Sequence, residues 1–215
     1  MFKKNLLLWV VPKKLKPKFF SEKESNSFRK LLKDNKKKYL HSRSFIREVL
    51  SEIFDLHPLS IPLEAEYGII PSLAPKYGYL SLSYCDNALL IGWSTEKLGV
   101  DIEKFDRKFN SEKIMTRYYL KDEIEILRHI KNKEELRIAV LKLWVLKEST
   151  IKLQRGSISK DLLKWRINLA EKISKNQSNG LKVNSYCFRY KDWLLGMASQ
   201  NINIEKLPPF ICDMF

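Results

Sequence analysis

Leu143-Trp144-Val145-Leu146-Lys147-Glu148-Ser149-Thr150-Ile151-Lys152 is the stretch from which this chain is best read. At about 3.6 residues per turn, Ile138, Leu141 and Val145 line one face of a helix, and the next two positions on that face are Glu148 and Lys152. An i,i+4 Glu-Lys pair on an exposed helix contributes only about 0.2–0.5 kcal/mol, and such a pair normally occupies the polar face. A carboxylate and an ammonium that continue the apolar stripe point either to a structural ion pair or to a site.

Upstream, Lys97-Leu98-Gly99-Val100-Asp101-Ile102-Glu103 reads as a short strand after a glycine, with apolar residues alternating with two carboxylates. Side chains two apart in a strand share a face, so Asp101 and Glu103 point the same way against their mutual repulsion, which a cation relieves. The bland alternative is a solvent-facing strand edge. Asp101, Glu103 and Glu148, with a lysine nearby and no Cys/His ligand spacing, suit a hard, oxygen-preferring ion such as magnesium rather than zinc. Magnesium is usually shared between a few carboxylates and the phosphates of a substrate, so a phosphate-bearing partner follows.

These residues carry a resemblance. Gly99-Val100-Asp101-Ile102-Glu103 followed by Trp144-Val145-Leu146-Lys147-Glu148-Ser149-Thr150-Ile151-Lys152 resembles the paired signature of the 4′-phosphopantetheinyl transferases. Arg117-Tyr118-Tyr119-Leu120-Lys121-Asp122-Glu123 is similar to that family's aromatic-aromatic-x-x-x-Glu segment, Leu80-Ser81-Leu82-Ser83-Tyr84-Cys85 to its Ser-His-Ser strand end, and Glu66-Tyr67-Gly68 to its Tyr-Gly-Lys-Pro turn. The match is strongest from Gly99 to Lys152 and weak before Glu66.

The resemblance implies an α+β fold of two pseudo-symmetric halves, each a long helix on a small antiparallel sheet, with coenzyme A in the cleft between them. It implies the longer, monomeric, surfactin-synthetase-activating type. The implied reaction moves the phosphopantetheine arm of coenzyme A onto a serine of an apo acyl or peptidyl carrier protein. Magnesium held by Asp101, Glu103 and Glu148 would grip the pyrophosphate. Glu148 would take the serine proton, directly or through a metal-bound water, and Lys152 would stabilise the departing 3′,5′-ADP. Ser83, Tyr84, Lys38, Asp101 and Lys152 are the expected contacts to coenzyme A, and Glu123 belongs to the active-site rim.

Two segments depart from the pattern. Ile69 and Ile70 stand where the family has lysine and proline, and Tyr84 where it has histidine between the serines. The basic residues of relatives are understood to bind the 3′-phosphate side of coenzyme A. Weak selection against the 3′-dephospho donor is therefore expected unless another basic residue substitutes, with lysines near Ser21 or in Lys36-Lys37-Lys38 as candidates.

Composition agrees with a folded enzyme without choosing one. The 215 residues are 44% hydrophobic and 30% charged, with a net charge of +15. That field favours phosphates, an acidic protein, nucleic acid or an anionic membrane. Abundant lysine, isoleucine and asparagine with sparse glycine and alanine equally fit a compositional bias. Lys36-Lys37-Lys38 with Arg43 and Arg47 forms either an anion-facing or a solvated helix, and Lys38 and Lys147 have an exposed-face reading of equal weight.

Cys85, Cys187 and Cys212 show no paired spacing, so a disulfide framework or zinc knuckle is not expected and a reducing cytoplasm fits. Residues 5–11 mimic a signal peptide, yet Pro12-Lys13-Lys14 follows with no small-residue cleavage site, and the segment reads as a first strand. No segment is long enough to span a membrane. His41, His57 and His129 sit among polar neighbours and read as surface residues.

Along the chain, residues 1–95 form an N-terminal half with cofactor-side contacts, and residues 96–215 a C-terminal half with the metal and transfer residues. Helical periodicity covers residues 21–33, 36–54, 111–119, 121–130 and 134–153. Residues 78–84 and 88–93 read as a hairpin around Cys85-Asp86-Asn87, residues 100–103 as a strand, and the tail as strands near 163–169, 183–190 and 193–199, with a loop at 175–180. Two other readings stand beside the transferase. One is a non-catalytic or specialised descendant that binds carrier proteins or an altered cofactor. The other is a basic nucleic-acid-binding protein, which net charge alone supports and no recognisable motif accompanies.

Overall fold

The computed structural model describes residues 5–64, 69–201 and 210–213. Strand β1 (Leu6–Pro12) is apolar throughout and buried at all seven positions, as a strand covered on both faces must be. It lies in a four-stranded sheet in the order β11-β1-β5-β4, with β4 at Tyr79–Cys85, β5 at Ala88–Ser94 and β11 at Phe210–Asp213. The second sheet has five strands in the order β6-β10-β9-β8-β7, at Leu98–Lys104, Trp193–Ser199, Lys182–Tyr190, Ile173–Asn176 and Trp165–Asn168. A two-stranded ribbon of β2 (Leu63–Glu64) and β3 (Ser72–Leu73) stands apart.

The helices are α1 (Glu22–Arg29), α2 (Lys33–Phe54), α3 (Ser111–Tyr118), α4 (Lys121–Arg128), α5 (Lys133–Leu153) and α6 (Ile158–Asp161). Alternate residues of β1 serve two cores. Leu6, Leu8 and Val10 meet Val100, Ile102, Leu195 and Met197 of the second sheet. Leu7, Trp9 and Val11 pack on Ile46, Val49 and Leu50 of α2. Across the second sheet, Leu141 and Val145 of α5 cover Leu194. The result is four layers, helix on sheet on sheet on helix, and it confirms the α+β architecture with one long helix on each sheet.

Several sequence expectations are corrected. The first sheet is not wholly antiparallel, because β11 pairs with β1 in parallel and returns the end of the chain to the sheet of its beginning. The loop expected at 175–180 begins inside a strand: Ile173–Asn176 pairs with both β7 and β9, and its alternation of buried and exposed residues was masked by polar Ser174 and Asn176 facing inward. The helix expected over 21–33 stops at Arg29, started by a Ser21–Glu24 capping box. His41 is not a surface residue. It is 8% exposed, its ring lies 4.6 Å from that of Phe45, and its Nε2 is 3.2 Å from the Pro12 carbonyl oxygen.

The two sheets meet where β4 runs beside β6, and side chains stitch the seam. Ser81 Oγ accepts the Val100 N–H at 2.9 Å. On the opposite side of β6, α5 approaches closely because of two glycines. A β-carbon on Gly99 would lie 1.9 Å from the Ser149 carbonyl oxygen, and one on Gly196, across the ladder from Asp101, 2.7 Å from that of Val145. Only residues without side chains let the helix backbone settle there, which brings its Glu148 level with the carboxylates that follow Gly99 on the same strand face.

Candidate active site

Asp101 and Glu103 project from β6 on the face that α5 covers, and Glu148 projects from α5 towards them. One ligand oxygen from each lies within 4.8 Å of the others, the only such acidic group among the described residues. Asp101 is 2% exposed, and Glu103 and Glu148 are half-buried. Lys152, one turn beyond Glu148, places Nζ 2.6 Å from Asp101 Oδ1 and 3.5 Å from Glu148 Oε2. Ser83 of β4 completes the cluster: its hydroxyl donates to Asp101 Oδ1 at 2.6 Å and accepts from Lys152 Nζ at 2.8 Å.

These contacts all fall on Oδ1 of Asp101. Its Oδ2 is buried with no hydrogen-bond partner, an arrangement that disfavours an ordinary buried carboxylate. Glu103 is held from the side, accepting from Trp144 Nε1 at 3.1 Å and pairing with Arg107. Burial, opposed by Arg107 and reinforced by Asp101, pushes Glu103 up to about 7. Burial and then Asp101, against Lys152, push Glu148 up to about 8. Burial and like charge thus make ionisation of both Glu103 and Glu148 costly. An all-oxygen donor set, an unpartnered buried oxygen and raised carboxylates together fit a divalent cation of the magnesium type.

Beside the cluster a cleft of about 1510 Å³ opens, bordered by Ser81 and Tyr84 of β4, Lys152 at the end of α5, the segment from Gln154 to Lys160, and Arg43 of α2. Of the expected coenzyme A contacts, Ser83, Asp101 and Lys152 are thus in direct contact. Tyr84 lines the cleft but points away from the cluster, its hydroxyl donating to the Lys38 carbonyl oxygen at 3.1 Å. The Lys38 side chain is exposed. The turn at Glu66-Tyr67-Gly68 lies outside the described residues.

Two expectations do not hold. Glu123 is no rim residue: it is buried beneath α5, where its carboxylate is 2.8 Å from Lys147 Nζ and accepts the N–H groups of Ile167 and Leu120, both at 2.9 Å. Lys147 is correspondingly not on an exposed face but fully buried, and it also donates to the carbonyls of Leu162 and Trp165. Sequence reasoning missed the grips on Glu103. A usable signal existed for both: Arg107 lies four residues after Glu103, and Trp144 one helical turn before Glu148 on the same face.

The fold and site define a two-sheet α+β protein with a carboxylate cluster, fitted for a divalent cation, at the seam between its halves. The chain belongs to the 4′-phosphopantetheinyl transferase superfamily, whose sequence model matches residues 97–204. It is also similar to the 4′-phosphopantetheinyl transferase ffp of Bacillus subtilis, with 30% identity over 154 residues, 70% of this chain. The aligned region is 66% of that relative's length, so the chain spans just under two thirds of it. The family match runs from β6 to beyond β10 and takes in Asp101, Glu103, Glu148 and Lys152, while Ser83, Tyr84 and Lys38 precede it.

Proposed function

We propose that this protein transfers the 4′-phosphopantetheine arm of coenzyme A to a serine of an apo acyl or peptidyl carrier protein, with magnesium held by Asp101, Glu103 and Glu148. The observation that carries this reading is that one oxygen from each of those carboxylates lies within 4.8 Å of the others, with an unpartnered oxygen on Asp101 and Lys152 alongside. Bound there, the metal supplies charge neutralisation at the pyrophosphate.

The chain's own residues account for the rest. The carrier serine oxygen attacks the β-phosphorus of coenzyme A, the bond from that phosphorus to the bridging oxygen breaks, and 3′,5′-ADP departs. Glu148 receives the serine proton, directly or through a water. Lys152 sits within reach of the same charges and meets the negative charge that builds on the leaving group. Ser83 fixes Asp101 in place through Oδ1. Trp144 and Arg107 do the same for Glu103.

On this reading residues 1–95 supply cofactor-side contacts and residues 96–215 the metal and transfer residues, in a cytoplasmic monomer with no membrane or nucleic-acid partner. Among the described residues no helix is long and apolar enough to cross a membrane. The test is mass spectrometry of an apo carrier protein incubated with the protein, coenzyme A and magnesium. The expected product is the carrier plus one phosphopantetheine mass, lost when magnesium is chelated. Unmodified carriers from fatty acid, polyketide and peptide synthesis alike, with coenzyme A still bound, would favour a non-catalytic carrier-binding descendant.

A further inference from the structure

The clustered carboxylates come from two elements, Asp101 and Glu103 from β6 and Glu148 from α5, so their spacing depends on how that strand and helix are fixed to one another. At one end the tie is Gly99, where the backbone of α5 rests on the strand. A different device holds the other end. After Glu103 the chain leaves β6 and runs through residues 105–110 to α3, and Arg137, about three turns before Glu148 on α5, reaches across to that segment.

Arg137 Nη1 donates to the carbonyl oxygens of Phe105 and Arg107, at 2.8 and 3.1 Å. Its own helix aims the rest of the guanidinium, since Nε and Nη2 donate to the two carboxylate oxygens of Glu134 at 2.8 and 2.6 Å. The residue is only 7% exposed, and the Phe105 ring faces both its guanidinium and that of Arg189, with 5.9 and 4.2 Å to the centroid. A planar fork tethered along one edge and donating from the other fixes where both carbonyls sit relative to α5, which a single ammonium does not do.

The second of those carbonyls belongs to Arg107, whose side chain turns back to pair with Glu103. That side chain is 41% exposed, so what holds it against Glu103 is the backbone beneath it. Both grips on Glu103 fall on Oε1, one from Arg107 and one from the Trp144 indole N–H. Trp144 lies on α5, and Arg107 is tied to α5 by Arg137. We propose that Arg137 is a positioning residue for the divalent-cation site, delivering Arg107 to Glu103, a proposal that rests on the metal part of the transferase reading above. Arg137 touches none of the three carboxylates, and its effect passes through Arg107. Groups that orient a metal ligand without binding the ion change affinity by about 10- to 100-fold when removed, and a residue one contact further out belongs at the lower end of that range.

Titration of the full chain with Mn2+, followed by the electron paramagnetic resonance signal of the free ion and with Mg2+ as competitor, reads the site without coenzyme A or a carrier. Mn2+ shares the preference of magnesium for oxygen donors. Arg137→Gln should weaken Mn2+ binding by about 10-fold, measured well below its melting temperature, and Arg107→Gln should do the same. The double variant should be no worse than the weaker-binding single one, because both changes cut the same chain of contacts. Arg137→Lys keeps the charge and loses the fork, so it should resemble Arg137→Gln, whereas Arg128→Gln, which breaks an exposed pair with Glu112, should bind as the wild type does. Glu134→Gln releases the tether from an exposed position and should show a smaller loss of the same kind, so the test survives if Arg137→Gln does not fold. Affinity unchanged in both Arg137→Gln and Glu134→Gln, full rescue by Arg137→Lys, or losses that add in the double variant overturns the proposal. The carrier assay separates the two readings. Mn2+ affinity lost in Arg137→Gln while no carrier is ever modified would sink the transferase reading and leave the positioning role standing. Carriers modified by a wild type whose Mn2+ affinity survives Arg137→Gln and Glu134→Gln would do the reverse. A wild type that binds no Mn2+ would remove the cation site and this proposal together.

Discussion

Lys147 and Glu148 are consecutive on α5, yet each belongs to an ionic centre of a different kind. Lys147 points beneath the helix, fully buried, where Glu123 and the carbonyls of Leu162 and Trp165 take up its donors while Glu123 also receives two backbone N–H groups. Every polar atom there has a partner, and the pair ties α4, α5 and β7 together. Glu148 points to the seam between the sheets, where three carboxylates share Lys152 and Arg107, and a buried oxygen is left over. Chemical type and sequence position are nearly the same in the two centres. What separates the two centres is whether the protein completes their hydrogen bonding or leaves part of it open.

That contrast predicts opposite mutational signatures. Glu148→Gln should lower kcat for carrier modification by about 10²- to 10⁴-fold, the range of a lost general base, with circular dichroism and melting temperature preserved. A variant that transfers at near-wild-type rates would remove Glu148 from the reaction. Lys147→Met should act on the fold instead. It leaves Glu123 buried without its counter-charge, at a cost of about 3–5 kcal/mol in urea denaturation, and the double variant with Glu123→Leu should recover much of it. A single variant as stable as the wild type would erase the distinction drawn between the centres.

Gly99→Ala probes the contact that holds the two centres in register. Its new methyl meets helix backbone rather than a flexible side chain, so α5 must move away, with an expected loss of about 1–3 kcal/mol in denaturation. Magnesium affinity, read by calorimetry, should fall with it, because Glu148 moves relative to Asp101 and Glu103.

The raised carboxylates give a pH signature that the closed pair lacks. Glu103 at about 7 and Glu148 at about 8 hold protons more tightly folded than unfolded. Their contribution to stability is therefore fully present below the ordinary carboxylate range, and it is lost as pH rises through about 7 and 8. Without divalent cations, the melting temperature should drop by several degrees between pH 5 and 9, at roughly 2–4 °C per kcal/mol for a chain of this size. Magnesium should flatten that slope. A flat profile without metal would mean that the cluster is not strained by its own charge. The smallest effect belongs to Lys152→Ala, which should lower kcat more than it raises KM, because leaving-group charge appears only in the transition state. A change in KM alone would make Lys152 a binding residue.

Much of the site was legible in the sequence because it is written in local periodicity. Strand alternation places Asp101 and Glu103 on one face, and helical spacing places Glu148 and Lys152 on one stripe. Both are geometric consequences of backbone conformation and need no knowledge of the fold. The glycine two residues before Asp101 was visible too, although only the helix lying across it shows why no side chain is tolerated there.

Other features depended on contacts that no local pattern encodes. Glu123 looked like a rim residue and Lys147 like a surface one until the path of the chain put both under α5. Arg43 could as well have faced solvent as the cleft, since a helix places charges by angle and only its packing against the first sheet decides which angle is inside. Ser83 lies far from Asp101 and Lys152 in the chain, and β8 hid behind inward-facing polar residues that pair only when β9 is beside them. The sequence by itself determined which charges share a face. The tertiary structure alone decided which of those charges are satisfied, because satisfaction depends on donors and acceptors delivered from distant parts of the chain, and that sets the cluster around Asp101 apart from the closed pair of Lys147 and Glu123.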